Sequence, residues 1–153
     1  MIIRKAEKKD FEQVYEIEQT CFKDPYPRKH LEYEFYENPI NMILVAEDNN
    51  KIVGFNNFLI TFNSASIVQV AVIPSYRKQS IATKLLSEME NSFPKDKDDV
   101  VEFVTLEVRK SNEAAINLYK KNGYEGIVDK KHYYADGEDA LYMVKRIDAC
   151  RYY

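Results

Sequence analysis

The chain has 153 residues, of which 45% are hydrophobic, and this size suits one domain with a substantial core rather than two ordinary domains. Its formal net charge of −3, from 22 Lys and Arg against 25 Asp and Glu, comes without basic blocks and argues against direct binding to nucleic acid. No apolar run approaches the roughly 18 residues of a membrane span, and residues 1–6 lack the pattern of a secretory leader, so we expect a cytoplasmic protein with no membrane partner.

The first half of the chain alternates between strand-like and helix-like periodicity. Asp10 is a candidate N-cap for the first helix, and Pro25 and Pro27 must interrupt helical structure, which predicts an ordered loop over 22–27. Asp48 to Asn50 suits a tight hairpin turn, and we expect a second connection over 63–65. The predicted elements are a strand over 1–6, helices over 10–21 and 28–37, and strands over 41–47, 51–61 and 66–73.

The second half continues the alternation. Gly123 is expected to end a helix, and Asp136-Gly137 predicts a turn between the last two strands. The predicted elements are helices over 80–93 and 113–122, and strands over 101–108, 124–131 and 140–146, with a charged loop over 95–99. This order predicts an α/β (α+β) fold in which helices flank a mixed sheet, with residues 1–147 as the domain and 148–153 as a short tail.

The segment over 68–86 combines an apolar strand, a basic loop and an amphipathic helix. Backbone N–H groups converge where such a loop enters a helix, and they favour phosphate groups. The segment therefore predicts a phosphate cradle, although by itself it also fits an exposed basic turn before a capped helix.

Two further segments accompany the cradle: LEVRKSNEAAINLYKKNGY over 106–124 and KHYYADGEDALYM over 131–143. The three segments together resemble the GNAT N-acetyltransferases. In combination they resemble the RimI-type and archaeal branch, which acetylates protein N-termini. The resemblance implies a sheet of about seven strands, flanked by four helices and splayed between strands 4 and 5, with acetyl-CoA as the co-substrate and no metal.

The resemblance implies that acetyl-CoA lies in this opening. Its amide arm would pair with the backbone of strand 4, its pyrophosphate would lie on the cradle, and the cap of the helix over 113–122 would contact the arm. The implied cofactor-binding residues are Val70, Ala71, Val72, Arg77, Lys78, Gln79, Ser80, Ile81, Ala82, Thr83, Asn112 and Tyr119.

Ser80 stands where the family motif has its first glycine. Glycine permits a positive φ and a close approach of the backbone, whereas serine is among the best N-caps. If the family glycine has ordinary helical angles, a serine at this position costs little conformational energy. We predict that acetyl-CoA binding is retained.

Tyr119 is implied to be the general acid for the departing CoA thiolate. A phenol has a pKa of about 10 and a thiol one of about 8.5, so full proton transfer from an ordinary Tyr runs uphill by roughly 2 kcal/mol. We therefore expect Tyr119 to donate a hydrogen bond to the thiolate, with proton delivery only if its pKa is depressed. A simple core aromatic is the alternative.

Glu107 interrupts the apolar run VTLEV, so strand alternation places it on the face opposite Leu106 and Val108. The resemblance implies that it is the general base for the incoming amine. An α-amine has a pKa of about 7.7 to 8, and a Lys side chain has one near 10.4. Removing the proton from a Lys acceptor would therefore require roughly 3.5 kcal/mol more free energy than removing it from an α-amine. An ion pair with a neighbouring Lys or Arg is the structural alternative.

The acceptor is implied to enter between the loop over 22–27 and the last hairpin. The substrate-binding candidates are Phe22, Asp24, Tyr26, Tyr133 and Tyr134, for each of which packing or surface exposure is an equal alternative. Cys21 and Cys150 form no metal or disulfide pattern and are expected to be reduced thiols.

The leading hypothesis is direct transfer of an acetyl group from acetyl-CoA to the α-amine of a protein or peptide, with the ribosome or nascent chains as further candidate partners. The alternatives are acetylation of a small amine or an internal Lys, and a weakly active CoA-binding accessory subunit.

Overall fold

The computed structural model describes residues 1–94 and 100–147. The predicted charged loop over 95–99, the predicted tail over 148–153 and Cys150 lie outside the described residues. The boundary of the domain at residue 147 therefore stays a prediction.

The described residues form seven strands and four α-helices, close to the predicted bounds. Short 3-10 turns at Lys8–Asp10 and Pro74–Tyr76 precede two of the helices. The elements are β1 (Ile2–Lys5), α1 (Phe11–Cys21), α2 (Arg28–Tyr36), β2 (Asn41–Asp48), β3 (Lys51–Thr61), β4 (Ser64–Val72), α3 (Ile81–Asn91), β5 (Phe103–Arg109), α4 (Glu113–Lys121), β6 (Glu125–Lys130) and β7 (Ala140–Arg146).

The strands form one mixed sheet in the order β1-β2-β3-β4-β5-β7-β6. The pairs β1/β2, β2/β3, β5/β7 and β6/β7 are antiparallel, whereas β4 and β5 are parallel. The parallel register comprises three residue pairs, from Ser64 with Phe103 to Ser66 with Thr105. The predicted mixed and mostly antiparallel sheet is confirmed, and a register this short is what the predicted splay requires.

The chain divides into two compact units. Unit 1 comprises Met1–Leu59 and Gln69–Phe93, and unit 2 comprises Ile60–Val68 and the described residues from Pro94 onward. The loop and helix of the predicted cradle belong to unit 1. Glu107, Asn112, Tyr119 and the last hairpin belong to unit 2.

The core of unit 1 is apolar side chains from α1, α2 and the first strands. Helical periodicity places Phe11, Val14 and Ile17 on one face of α1, where they pack with Leu31 and Phe55. The buried face of α3 consists of Ile81, Leu85, Leu86, Met89 and Glu90. This packing fixes the start of α3, which is the helix of the predicted cradle.

Strand β5 of unit 2 alternates strictly between half-buried and buried residues. Val104, Leu106 and Val108 are buried, and Thr105, Glu107 and Arg109 therefore share the opposite face. The predicted orientation of Glu107 is confirmed.

Two sequence-based assignments in unit 1 and at the start of β4 are wrong. Asp10 does not cap α1 through its side chain. Its carboxylate instead accepts hydrogen bonds from Arg4 and from the backbone N–H of Glu7.

The connection into β4 is Phe62–Asn63 rather than 63–65, because Ser64 and Ala65 already pair with β5. The hairpin turn at Asn49 and Asn50 is confirmed, with φ of 50° and 64°.

None of the helices in the described part of the chain is both long and apolar enough to cross a membrane.

Gly54 in β3 provides a test of close packing in unit 1. A Cβ added there would lie 2.8 Å from the carbonyl oxygen of Ala71 and 3.2 Å from a methyl group of Val72. We expect Gly54→Ala to lower the free energy of unfolding by about 1–3 kcal/mol, because backbone cannot yield as a side chain does. The matched control is Gly126→Ala, where the added Cβ meets only the flexible side chain of Leu141. Urea unfolding of both variants checks this, and equal losses would contradict it.

Candidate active site

The predicted cradle in unit 1 has an unusual backbone. After the 3-10 turn, Arg77 is extended with φ of −70° and ψ of 161°, whereas Lys78 and Ser80 each have φ of 63°. Two left-handed residues therefore flank Gln79 just before α3. Left-handed residues in a turn orient successive N–H groups toward one side, as in the backbone nests that bind anions.

Ser80 has φ of 63° and ψ of 20° and makes no side-chain cap. The carbonyl of Ser80 accepts a hydrogen bond from the N–H of Lys84, so Ser80 immediately precedes α3. The hydroxyl of Ser80 does not cap the helix. The condition under which serine would cost little conformational energy at position 80, ordinary helical angles, is not met, because the backbone is in the left-handed region that glycine enters without strain.

The residues of the cradle present charge and backbone to the surface. Arg77, Lys78, Gln79 and Ser80 are exposed. The first turn of α3 follows, where N–H groups lack intrahelical acceptors and the helix dipole is positive. Ile81 is only 3% exposed, so its side chain belongs to the core and only its backbone is available to a ligand. Ala82 and Thr83 are half-buried.

The end of β4 leads into the cradle. Ala71 and Val72 are buried and Val70 is half-buried, so their side chains pack while the backbone is left to carry the predicted contacts. The carbonyl of Val72 already accepts a hydrogen bond from Nε of Arg77, at 2.9 Å. Arg77 therefore also fixes the turn between β4 and the cradle.

A buried carboxylate, Glu18 of α1, holds the predicted acceptor loop. Its Oε1 accepts hydrogen bonds of 2.7 Å from the backbone N–H of Tyr26 and from the side chain of Gln69. Burial raises the pKa of Glu18, and these two hydrogen bonds only partly offset the shift. Sequence reasoning missed Glu18, and its only signal was a charged residue on the apolar face of α1.

The three acceptor candidates of this loop have different surroundings. Phe22 packs edge-on against Phe55 of the core, with centroids 6.4 Å apart. The ring of Tyr26 stacks on His30 at 4.0 Å, and Asp24 is exposed. Phe22 thus has the packing role that was its alternative, and contact of Asp24 and Tyr26 with an acceptor stays a prediction.

In unit 2, Glu107 forms an ion pair. Nζ of Lys130 lies 2.6 Å from its Oε1, with 25% of the Glu107 side chain and 40% of the Lys130 side chain exposed. The hydrogen bond to Glu107 raises the pKa of Lys130. The ion pair that was the structural alternative for Glu107 is therefore present, and the exposed quarter of the side chain leaves the carboxylate accessible to a substrate.

Tyr119 of α4 is 7% exposed, and its ring packs edge-on against Tyr124 with centroids 5.6 Å apart. Burial, followed by the neighbouring phenol of Tyr134, raises the pKa of Tyr119 well above its ordinary value. The depressed pKa that proton delivery requires is therefore absent, while a neutral phenol remains a hydrogen-bond donor.

The last hairpin brings Tyr133 and Tyr134 to the same group of residues. Their rings meet edge-on at 5.0 Å, and the guanidinium of Arg109 lies 4.1 Å from the centroid of Tyr134. Burial, followed by the phenol of Tyr133, raises the pKa of Tyr134 to about 12. Burial and the carboxylate of Glu107 raise the pKa of Tyr133. Unit 2 therefore unites the predicted base, the predicted donor and both tyrosines.

Asn112 has the capping role that its position predicts. Its Oδ1 accepts a hydrogen bond of 3.1 Å from the N–H of Ala115, and the helix ends before Gly123, whose φ is 95°. A further contact of Asn112 with a cofactor stays a prediction. Among the described residues no group of three or more His, Cys, Asp and Glu could hold a metal ion.

Comparison with known proteins assigns the family. A model of the acetyltransferase (GNAT) family matches residues 11–124. An N-alpha-acetyltransferase of Sulfurisphaera tokodaii is 34% identical over an alignment of 158 residues, which covers 92% of this chain and 90% of the relative. The chain belongs to the acetyltransferase (GNAT) family.

Two further GNAT relatives are similar along nearly their whole length. The [ribosomal protein bS18]-alanine N-acetyltransferase of Haemophilus influenzae is 32% identical over 133 residues, which covers 87% of each chain. The crystal structure of the ribosomal-protein-S18-alanine N-acetyltransferase from Escherichia coli superimposes with a TM-score of 0.81 at 28% identity, covering 96% of this chain and 94% of that one. The predicted GNAT fold and acyltransferase class are confirmed.

The left-handed conformation of Ser80 predicts an unusual effect of glycine. We expect Ser80→Gly to raise the free energy of unfolding by about 1 kcal/mol, because it removes a left-handed non-glycine residue. The control is Ser87→Gly at an exposed position inside α3, where glycine should instead be destabilising by about 0.5 kcal/mol. Chemical denaturation measures both, and a loss of stability in Ser80→Gly would contradict the assigned conformation.

The buried carboxylate predicts a pH-dependent stability. The folded-state pKa of Glu18 is raised from its ordinary value of 4.5. Its contribution to the free energy of unfolding is therefore fully present below pH 4.5 and is lost as pH rises through the folded-state pKa. We expect Glu18→Gln, which keeps a carbonyl acceptor, to gain stability relative to the wild type over that rise. Urea unfolding from pH 4 upward measures the difference. Glu16→Gln, at an exposed position of the same helix, should show no such trend, and a flat difference for Glu18→Gln would contradict the prediction.

Proposed function

We propose that this chain transfers the acetyl group of acetyl-CoA directly to the α-amine of a protein or peptide N-terminus. The observation that carries the proposal is a group of residues in unit 2: Tyr133 and Tyr134 pack together near Glu107, and the phenol of Tyr134 is a neighbour of Tyr119. This group offers a proton acceptor for an ammonium and a neutral donor for a thiolate, which are the two groups that acyl transfer from a thioester to an amine requires.

Unit 1 supplies the donor side of the proposal. The N–H groups of the cradle and the cations of Arg77 and Lys78 suit the pyrophosphate of CoA, and the backbone of Val70 to Val72 suits its amide arm. The left-handed backbone at Ser80 supports this role, because it orients N–H groups rather than side chains toward an anion.

Glu107 acts first in the proposed reaction. It takes a proton from the acceptor's ammonium, directly or through water, and the amine nitrogen then attacks the thioester carbon. The C–N bond forms as the C–S bond breaks, and the nitrogen loses a second proton to solvent. Because the pKa of an α-amine is about 7.7 to 8, a single carboxylate suffices near neutral pH.

Tyr119 stabilises the departing thiolate by donating a hydrogen bond. Its raised pKa keeps the phenol neutral, so CoA leaves as a thiolate and takes its proton from solvent. No covalent intermediate with the enzyme is needed when donor and acceptor are held together.

The choice of acceptor is also supported by the relatives of this chain. Those named above are an N-alpha-acetyltransferase and two enzymes that act on an alanine of a ribosomal protein. A ribosomal protein or a nascent chain is therefore the acceptor that we propose to test first. The cytoplasmic location expected from the sequence fits this choice and stays a prediction.

A panel of peptides tests the proposal. Each peptide has a different first residue, and one is blocked at its N-terminus but contains an internal Lys. With acetyl-CoA present, we expect acetylation of free N-termini and none of the blocked peptide. Acetylation of the blocked peptide alone would overturn the proposal, and no acetylation of any peptide would favour the accessory subunit.

Tyr119→Phe separates a hydrogen-bond donor from a core aromatic. We expect kcat to fall on the order of 100-fold because a donor to developing negative charge is lost, while the Kd for acetyl-CoA stays unchanged. Tyr15→Phe, outside the proposed site, is the control for removing a tyrosine hydroxyl. Steady-state kinetics and calorimetric titration check both values, and an unchanged kcat in Tyr119→Phe would eliminate the donor role.

A further inference from the structure

The ammonium of Lys130 has one carboxylate and two aromatic rings as neighbours. Its Nζ lies 2.6 Å from Oε1 of Glu107, 4.6 Å from the ring centroid of Tyr142 and 5.6 Å from that of Tyr133. We name Glu107, Tyr133 and Tyr142 the ammonium cage. A carboxylate together with aromatic faces attracts any ammonium, because the charge and the ring quadrupoles act on the positive group and not on the chain that carries it.

The register of the sheet brings Glu107, Tyr142 and Lys130 to one face. Glu107 of β5 lies opposite Tyr142 of β7, and Val128 of β6 lies opposite the same tyrosine. Lys130 is two residues beyond Val128, so its side chain is on the same face of the sheet as Glu107 and Tyr142. Strand pairing therefore places Glu107, Tyr142 and Lys130 together, and Tyr133 joins them from the connection between β6 and β7.

The occupant of the cage has the same chemical group as the proposed acceptor. A protein N-terminus also carries a primary ammonium near neutral pH, and Glu107 must reach it to remove its proton. Resting on the proposed function, we propose that Lys130 is an internal competitor: its ammonium occupies the place in the cage that the acceptor's ammonium takes, and binding of the acceptor displaces it.

The ion pair is weak enough to be displaced. The side chains of Lys130 and Glu107 are 40% and 25% exposed, and pairs of this kind contribute little in water. The flexible four-carbon stem of Lys130 allows the head group to move aside. An internal competitor of this strength lowers the apparent affinity for the acceptor by about two- to sixfold, because only the open fraction of molecules can bind.

Lys130→Met is the direct test, since it keeps the apolar stem and removes the ammonium. We expect its KM for an acceptor peptide to fall about two- to sixfold, with kcat changed by less than twofold. The matched control is Lys110→Met, because Lys110 forms a similar pair with Asp129 at 2.7 Å, with exposures of 46% and 32%. Asp129 precedes Lys130 in β6, so strand alternation places its side chain on the face of the sheet opposite Lys130. We expect the control to leave KM and kcat as in the wild type.

Lys130→Arg distinguishes competition from positioning. Arginine keeps a positive charge against Glu107, so the variant should keep a KM at least as high as that of the wild type. A fall in kcat for Lys130→Met at unchanged KM, restored by Lys130→Arg, would mean that Lys130 orients Glu107 and would overturn the proposal. Unchanged kcat and KM in Lys130→Met would overturn it as well.

A binding measurement separates this proposal from the proposed function. Alaninamide, a small molecule with a free α-amine, is titrated into the wild type and Lys130→Met, and the ring resonances of tyrosine are followed by NMR. We expect about two- to sixfold tighter binding to Lys130→Met, whether or not any peptide is acetylated. Equal affinities, or binding to neither protein, would overturn the competition even if the enzyme acetylates N-termini.

Discussion

Glu107 lies in β5 between two buried apolar residues, and a carboxylate in such a strand requires polar compensation. The sheet of unit 2 provides it through Lys130, whose ammonium meets the carboxylate at 2.6 Å. The tyrosines of β7 and the last hairpin then pack around this pair, and Arg109 holds the hairpin through Asp136 and Glu138. Lys130 neutralises the carboxylate, and the rings of Tyr133 and Tyr142 lie beside the ammonium that pairs with it.

In unit 1 the predicted binding of a pyrophosphate depends on the backbone rather than on a side chain. Two left-handed residues, Lys78 and Ser80, place the N–H groups of the cradle before the first turn of α3. Buried side chains of α3 hold the helix start in place. A non-glycine residue in this conformation costs stability, and a residue kept in a strained conformation at a binding loop is typical of functional sites.

Much of the fold could be predicted because the sequence signals were local. Alternation fixed the faces of β5, paired asparagines fixed the first hairpin, and Gly123 marked the end of α4. The errors arose where a non-local contact decided the outcome. Asp10 forms an ion pair with Arg4 instead of a cap, and β4 begins early because Ser64 and Ala65 pair with β5.

The same limit applies to the candidate site. Glu107 was identifiable as a charge within an apolar strand, but its partner was one of many lysines, and only the register of β5, β7 and β6 selects Lys130. The raised pKa of Tyr119 depends on burial and on Tyr134, which lies in a distant part of the sequence. Residue types indicated the chemistry, whereas strand pairing determined which groups meet.

The role of Glu107 as the base for an α-amine is the central claim, and the pH dependence of Glu107→Gln tests it most directly. The measurement is kcat/KM for a peptide with a free N-terminus, in the wild type and in Glu107→Gln, from pH 6.5 to pH 9.5. The account predicts a large deficit for the variant at low pH that shrinks as pH passes about 8, where the α-amine loses its proton without help. A deficit that is the same at every pH would contradict it.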